Sequence, residues 1–379
     1  MADKYGPWAT LIDAGVNPQL SAFWKKRMSM LVPISRTSPV LSRRNLLRLG
    51  ATVIITTVLP TFVFVPAMAE EQRRESELKN STSGRIYIDA VMNVKSEDSN
   101  PSNEIHAIIA IDPETGQWEK VIDGGYRAKV SPDGQMIAFL ASTNSDTDKE
   151  EIWTYDLKSK KKTLICNDGG NFSWAPDGKS IVFTKSHFTA DDKSEDNTWS
   201  ISLDGSEKTK LPITKTDEVD DWSNDGRWFV TVSNRQPPWG SGYQLYRMHP
   251  DGGEELRLTK NGLNCYPRFS PDSRKIAYLH QTAIDGNSLH VMDMDGTNDH
   301  EIVRGKDLTN VEKSCFSPDG RRLAITLVNL QLENGKKVLK GGPEEQNWRI
   351  EIVDADGKNR RELKLSDAKV IFLGHPDWH

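Results

Sequence analysis

One four-residue box recurs through the chain and limits what it can fold into. Ser131-Pro132-Asp133-Gly134 precedes Gln135-Met136-Ile137-Ala138-Phe139, and Ala175-Pro176-Asp177-Gly178 precedes Lys179-Ser180-Ile181-Val182-Phe183. Ser223-Asn224-Asp225-Gly226, Ser270-Pro271-Asp272-Ser273 and Ser317-Pro318-Asp319-Gly320 each lead into a similar β-rich run. Proline presets φ for the second turn position, aspartate bonds its own backbone, and glycine accepts positive φ. Counted from Pro132, Pro176, Asn224, Pro271 and Pro318, the steps are 44, 48, 47 and 47 residues. A fixed period of this length with four short strands per unit predicts a β-propeller blade.

The strand order within a unit is constant. Leu263 to Phe269 reads as a first strand, Lys275 to Leu279 as a second, Ser288 to Met292 as a third and His300 to Val303 as a fourth. Asp204-Gly205, Asp251-Gly252, Asp295-Gly296 and Asp356-Gly357 follow the third strands, as hairpin turns should. The two ends are fragments. Residues 84–122 supply second, third and fourth strands without a first, and Val370 to Trp378 supplies a first strand with nothing after it. Each fragment has what the other lacks, and pairing them removes two open sheet edges. The expected fold is therefore all-β: a six-bladed propeller whose last strand closes the first blade, paired beside Arg85 to Ile88.

The Ser-Pro-Asp-Gly-x-x-Ile-Ala-Phe boxes and Asp-x-Asp-Gly turns resemble the WD40-like repeats of TolB-type β-propeller proteins over about residues 126–378, or 84–378 with the composite blade. That resemblance implies the fold and says little about function. TolB proteins carry an α/β domain before the propeller, whereas here a short linker precedes the first blade.

Before the repeats, Ala51 to Ala69 is an uncharged, largely apolar stretch followed at once by Glu70-Glu71. Residues 1–69 carry eight Lys/Arg and two Asp/Glu, a net of +6, which leaves −11 on 70–379 out of the total of −5. By the positive-inside rule the N-terminus stays in the cytoplasm and the body is translocated. Arg43-Arg44 within Ser42 to Arg48 resembles a twin-arginine export signal, and Ala67-Met68-Ala69 offers a small-x-small cleavage site. The segment around Phe23 to Met28 is similar to the juxtamembrane part of membrane sensor metallopeptidases, without their His-Glu-x-x-His zinc motif. A cleaved signal and an uncleaved transmembrane anchor both place the body outside the cytoplasm, in the periplasm. The expected organisation is 1–69 N-region with signal or anchor helix, 70–83 linker and 84–379 propeller.

No catalytic motif stands out. Gly-x-Ser-x-Gly, P-loop and dinucleotide fingerprints are missing from the sequence, so no catalytic residue, cofactor or metal is assigned. An acidic body argues against nucleic acid as partner. Cys166, Cys265 and Cys315 are too few for a disulfide framework and read as buried small residues. His375 and His379 could share a strand face, and His187, His280 and His290, read as lying in different repeats, could meet only at the channel. A metal-dependent carbohydrate lyase of the propeller type, such as an oligogalacturonate lyase, would need that convergence. It stands as one alternative, with a genuine Tol-system envelope component as the other.

The leading reading is an exported or membrane-tethered interaction or ligand-sensing module. The second-to-third-strand loops differ most between repeats, and insertions confined to one face mark a binding face. Arg235 and Trp239, stiffened by Pro237-Pro238, and the loop carrying His187, Asp191 and Asp192 are its candidate binding residues. The carboxylates favour a basic protein or cell-envelope ligand.

Overall fold

A computed structural model describes residues 84–379, apart from 95–102, 143–149, 189–193, 214–216, 234–242, 283–285, 306–308, 334–335, 340–347 and 367. Six antiparallel sheets appear in chain order. Blade 1 holds β1 (Ile86–Val94), β2 (Asn103–Ile111) and β3 (Trp118–Asp123). Blade 2 holds β4 (Tyr126–Val130), β5 (Met136–Ser142), β6 (Glu150–Asp156) and β7 (Lys162–Gly169). Blade 3 holds β8 (Phe172–Trp174), β9 (Ser180–Phe188), β10 (Ser194–Ser202) and β11 (Lys208–Lys210). Blade 4 holds β12 (Asp217–Trp222), β13 (Phe229–Ser233), β14 (Gln244–Met248) and β15 (Leu256–Arg257). Blade 5 holds β16 (Leu263–Phe269), β17 (Lys275–Thr282), β18 (Gly286–Asp293) and β19 (His300–Arg304). Blade 6 holds β20 (Thr309–Phe316), β21 (Arg322–Glu333), β22 (Lys336–Leu339), β23 (Trp348–Asp354) and β24 (Arg361–Leu363). The chain then returns to blade 1 with β25 (Ala368–Leu373) and β26 (Asp377–Trp378).

The boxes fold as their residue types require. In four of them the serine hydroxyl donates to the aspartate at 2.6–2.7 Å, as Ser131 does to Asp133 and Ser317 to Asp319. The same aspartate oxygen accepts the amide two residues on, and the serine oxygen accepts the amide that starts the second strand. Gly134 sits at φ 71°, while Ser273 takes the same conformation at φ 61° with a side chain present. Its hydroxyl accepts from the Asp225 amide of blade 4 at 3.2 Å, a bond that offsets the left-handed backbone.

Closure occurs where the sequence places it. β1 pairs with β26 through Ile86↔Trp378 and Tyr87↔Asp377, and with β25 through Ala90↔Leu373 to Val94↔Ala368. Six apolar clusters fill the seams between successive blades. The one between blades 6 and 1, which includes Ile88, Ile109, Val328, Ile350 and Trp378, is the largest of them. The ring is thus sealed by a full hydrophobic seam. Polar ties reinforce it: Trp118 Nε1 donates to the Ser366 carbonyl at 2.8 Å, and Glu114 bridges Arg322 and Arg361.

Two segments expected as loops are partly strand. β9 and β10 pair out to Phe188↔Ser194, and β21 runs on to Glu333 and pairs with β22. The expected signal or anchor helix lies outside the described residues, among which no helix is long and apolar enough to cross a membrane. All three cysteines are buried and unbridged.

Candidate functional site: an axial funnel over a charged waist

The innermost strands converge on the propeller axis, and the residue two before each of the five boxes, with Asp377 of β26 at the matching place in blade 1, lines it. Around the ring these residues are Lys129, Ser173, Asp221, Arg268, Cys315 and Asp377, so the charges run positive, neutral, negative, positive, neutral, negative. Above them a funnel of about 250 Å³ opens on the face of the Pro-Asp-Gly turns. Its lip includes Pro132, Pro176, Asn224, Pro271 and Pro318, one from each box.

The floor is tied internally. Asp221 stands 3.7 Å from Lys129 Nζ and 3.5 Å from the Arg268 guanidinium, which also approaches Asp377 at 4.0 Å. Each aspartate also accepts a main-chain amide from the next blade: Asp221 from Phe269 at 3.0 Å and Asp377 from Val130 at 2.7 Å. Ser173 donates to Asp221, and Trp174 Nε1 donates to the Lys129 carbonyl at 2.9 Å. Opposite charges so arranged neutralise one another without a ligand.

Below the floor the inner strands bulge. The register slips between Tyr126 and Lys129, Val219 and Asp221, Cys265 and Arg268, and Val311 and Lys313. Arg127 and Tyr266 occupy their bulges with φ 53°. A bulge re-aims a side chain, and here the bulges narrow the axis to a waist. Lys129, Asp220, Tyr266, Ser314 and His375 line a cavity of about 20 Å³ there. Asp220 Oδ2, Ser314 Oγ and His375 Nε2 have no protein partner, and the volume suits about one water. Burial raises the Asp220 carboxyl and lowers the Lys129 ammonium, both toward their neutral forms. Burial, with Arg127, Lys313, Arg268 and Lys129 nearby, holds His375 well below the usual imidazole range. Lys313 Nζ lies 3.7 Å from the centre of the Tyr266 ring, a cation–π contact.

The histidine expectations need correction. His280 and His290 are in one repeat, on neighbouring strands of blade 5. They meet on its face toward blade 4, with ring centres 5.1 Å apart, rather than at the channel. His375 lies in the waist against Tyr266, while the His379 ring packs against the position of a side chain on Gly134, so these two do not converge. No group of three or more described His, Cys, Asp or Glu side chains is set to hold a metal as it stands. Arg235, Trp239, Asp191 and Asp192 lie outside the described residues, as do Arg43, Arg44, Ala67 and Ala69. For His187 the backbone alone is described, paired with Glu195 in β9–β10. The funnel residues carry no local motif and were not singled out from the sequence. Stacking the repeats and reading the residue two before each box would have found all of them but Asp377, which no box follows.

The family model of the TolB beta propeller domain matches residues 126–370, and the chain belongs to that family. Among solved structures the fold is similar to TolB from Acinetobacter baumannii, with 20% identity, a TM-score of 0.56, and 82% of this chain and 71% of that one covered. A TolB-type structure from Agrobacterium tumefaciens matches with 17% identity and a TM-score of 0.51, covering 74% of this chain and 89% of that one. At these identities the likeness is one of fold. An oligogalacturonate lyase in complex with manganese is less similar, with 16% identity, a TM-score of 0.44 and 74% of each chain covered, and it carries no argument about a site. Among curated protein sequences none matches this chain.

Proposed function

We propose that the chain is an exported or membrane-tethered propeller that docks a protein or cell-envelope ligand, with residues 1–69 directing residues 84–379 out of the cytoplasm and 70–83 as linker. The observation that supports this best is the funnel: an open concavity whose ionisable floor groups are engaged with one another and with backbone amides. Such a floor is rigid and close to neutral, which suits reception of a protruding segment of a partner more than acid–base chemistry.

A second docking surface is the opposite face, with Trp239, Arg235, His187, Asp191 and Asp192 at its rim. The ribbons β9–β10 and β21–β22 favour it, because they extend blades on that side while the Pro-Asp-Gly side is closed by short turns. An acidic rim there would select a basic partner.

One capture experiment tests both. Wild-type chain, Asn224→Trp and the Arg235→Ala/Trp239→Ala pair serve as baits for cell-envelope extract. Asn224 is exposed on the funnel lip, so an indole there blocks entry without entering the core. Loss of a wild-type-captured protein with Asn224→Trp places docking in the funnel. Loss of about 2 kcal/mol or more in the double variant, as for hot-spot residues, places it on the loop face. A wild-type bait that captures nothing, or a set of captured proteins unchanged in both variants, refutes the docking reading.

A further inference from the structure

The chain enters the propeller at the lip of the funnel. Gly84, the first described residue, packs against His379 and Pro318, and both of these line the funnel. The Arg85 amide donates to the His379 carbonyl at 2.7 Å. On its other side the His379 ring lies against Gly134, in the box of blade 2. From that box the Gln135 carbonyl accepts the Leu157 amide at 2.9 Å, which fixes the turn between β6 and β7 beside it. The point of entry, the funnel lip and this turn are therefore neighbours on one face.

The turn reads Asp156-Leu157-Lys158-Ser159-Lys160-Lys161, with Lys162 opening β7. All four lysines are exposed, and among the described residues none stands within ion-pair distance of a carboxylate. Asp156 turns inward instead: its Oδ1 accepts the amides of Lys158 and Ser159 at 3.0 and 2.6 Å. Lys162 Nζ donates to the Asp123 carbonyl at 3.3 Å, which leaves Lys158, Lys160 and Lys161 to solvent. Four lysines against Asp156 give this tip a net charge of +3, on a body that carries −11 over residues 70–379. The matching turns of blades 3, 4 and 5 are acidic, with Asp204 and Glu207, Asp251 and Glu254, and Asp293 and Asp295. A bare basic tip beside the entry point of a chain with an apolar N-terminal stretch has the chemistry of a membrane-surface contact.

We propose that Lys158, Lys160 and Lys161 rest on the anionic phospholipid headgroups of the membrane that holds residues 51–69, and so turn the funnel face of the propeller toward that membrane with blade 2 lowest. This rests on the anchored form of the reading above. Only residues 70–83 separate Ala69 from Gly84, and fourteen residues span at most about 50 Å, so the tip never leaves the neighbourhood of the surface. Confinement of that kind raises the effective concentration of headgroups around the lysines and makes a weak contact persist. Blade 5 stands opposite blade 2 in a ring of six, and its acidic turn is repelled by the same surface. The body therefore leans, and the funnel opens sideways along the membrane on the side of blades 4 and 5. Its partner is then a segment that protrudes from the same membrane.

The test is amine footprinting of the full chain in vesicles of phosphatidylcholine, alone or mixed with phosphatidylglycerol. A membrane-impermeant acetylating reagent is added outside, and mass spectrometry reads each lysine. Lys260 is the reference, because it is exposed in the connection between β15 and β16 on the opposite face. Phosphatidylglycerol should slow labelling of Lys158, Lys160 and Lys161 relative to Lys260 by at least about fivefold, the Boltzmann weight of one lysine at an anionic surface. The protection should vanish in about 1 M salt, where screening acts within about 3 Å. In Lys158→Gln/Lys160→Gln/Lys161→Gln, a change confined to an exposed turn, Lys162 is the reporter and should show no dependence on phosphatidylglycerol. Equal labelling in the two kinds of vesicle, equal protection of Lys260, or protection of Lys162 that survives the triple change overturns the proposal. A chain that does not float with the neutral vesicles refutes the anchored reading itself, and the proposal falls with it.

Discussion

Trp378→Ala tests the ring closure at one residue. Trp378 is 5% exposed, pairs with Ile86, and belongs to the apolar seam between blades 6 and 1. Its outer face is covered by the Arg322 guanidinium, 5.0 Å from the ring centre. Truncating a buried tryptophan to alanine costs about 3–5 kcal/mol, from lost transfer energy and the cavity left behind. Asp377→Ala is the companion. It strips the acceptor from the Val130 amide at 2.7 Å, and a buried amide without a partner costs about 1–3 kcal/mol. Against a domain stability of about 5–15 kcal/mol, the first change removes a large fraction. The assay is equilibrium unfolding in guanidinium chloride, with Leu256→Ala as control, because Leu256 is 36% exposed on the outer strand of blade 4 and should cost under about 0.5 kcal/mol. A lower midpoint with an unchanged slope means the closed ring unfolds as one unit. A loss under about 1 kcal/mol for Trp378→Ala would refute the argument that this seam closes the ring.

Two further outcomes are expected. Asp89 is buried, and its Oδ1 accepts the amides of both Arg127 and His375 at 3.1 Å, so Asp89→Asn can keep both bonds whereas Asp89→Ala leaves two amides unpaired. Burial raises the Asp89 carboxyl above its ordinary 3.8, so its protonated form stabilises the fold below that value and the contribution is lost as pH rises through the folded value. Asp89→Asn should therefore gain on the wild type in thermal melts between pH 4 and 7, and a difference that shrinks over that range contradicts the assignment. For the N-terminal segment, Arg43→Lys with Arg44→Lys should block export through a twin-arginine route and barely affect a Sec-inserted anchor, as fractionation reads directly; a soluble extracytoplasmic product beginning at Glu70 excludes the anchor.

The fold was legible because the boxes are statements about backbone geometry. Pro132-Asp133-Gly134 specifies a turn wherever it stands, so five copies at a near-constant step define the blades before any packing is considered. The closure was legible for a different reason: residues 84–122 and 370–378 each lack what the other holds. The funnel was opaque because its floor takes one residue from each repeat, and Lys129, Ser173, Asp221, Arg268, Cys315 and Asp377 share no chemistry. Their common property is position. The waist needed more, since the bulges at Arg127, Asp220, Tyr266 and Glu312 shift which side chains face the axis, and no pattern of period two anticipates them. The pairing of His280 with His290 depends on register: Tyr278 opposes His290, which leaves His280 one step along the same face.

The alternation of charge around the floor follows from how the ring is built. With six blades, positions three apart face each other across the axis, so Lys129 faces Arg268, Asp221 faces Asp377 and Ser173 faces Cys315. Like charges thus take the longest separation available, and no two like charges adjoin. Asp377 belongs to this floor and also to the strand that closes blade 1. It caps Val130 of blade 2 through the same carboxylate that approaches Arg268. Seating the last strand therefore closes the sheet, joins blade 1 to blade 2 and completes the funnel in one event. A chain in which β26 is displaced has no finished floor: Arg268 loses one of its two counter-ions, and Trp378 leaves the lining of the funnel. Closure of the ring and formation of the candidate docking surface are coupled through Asp377.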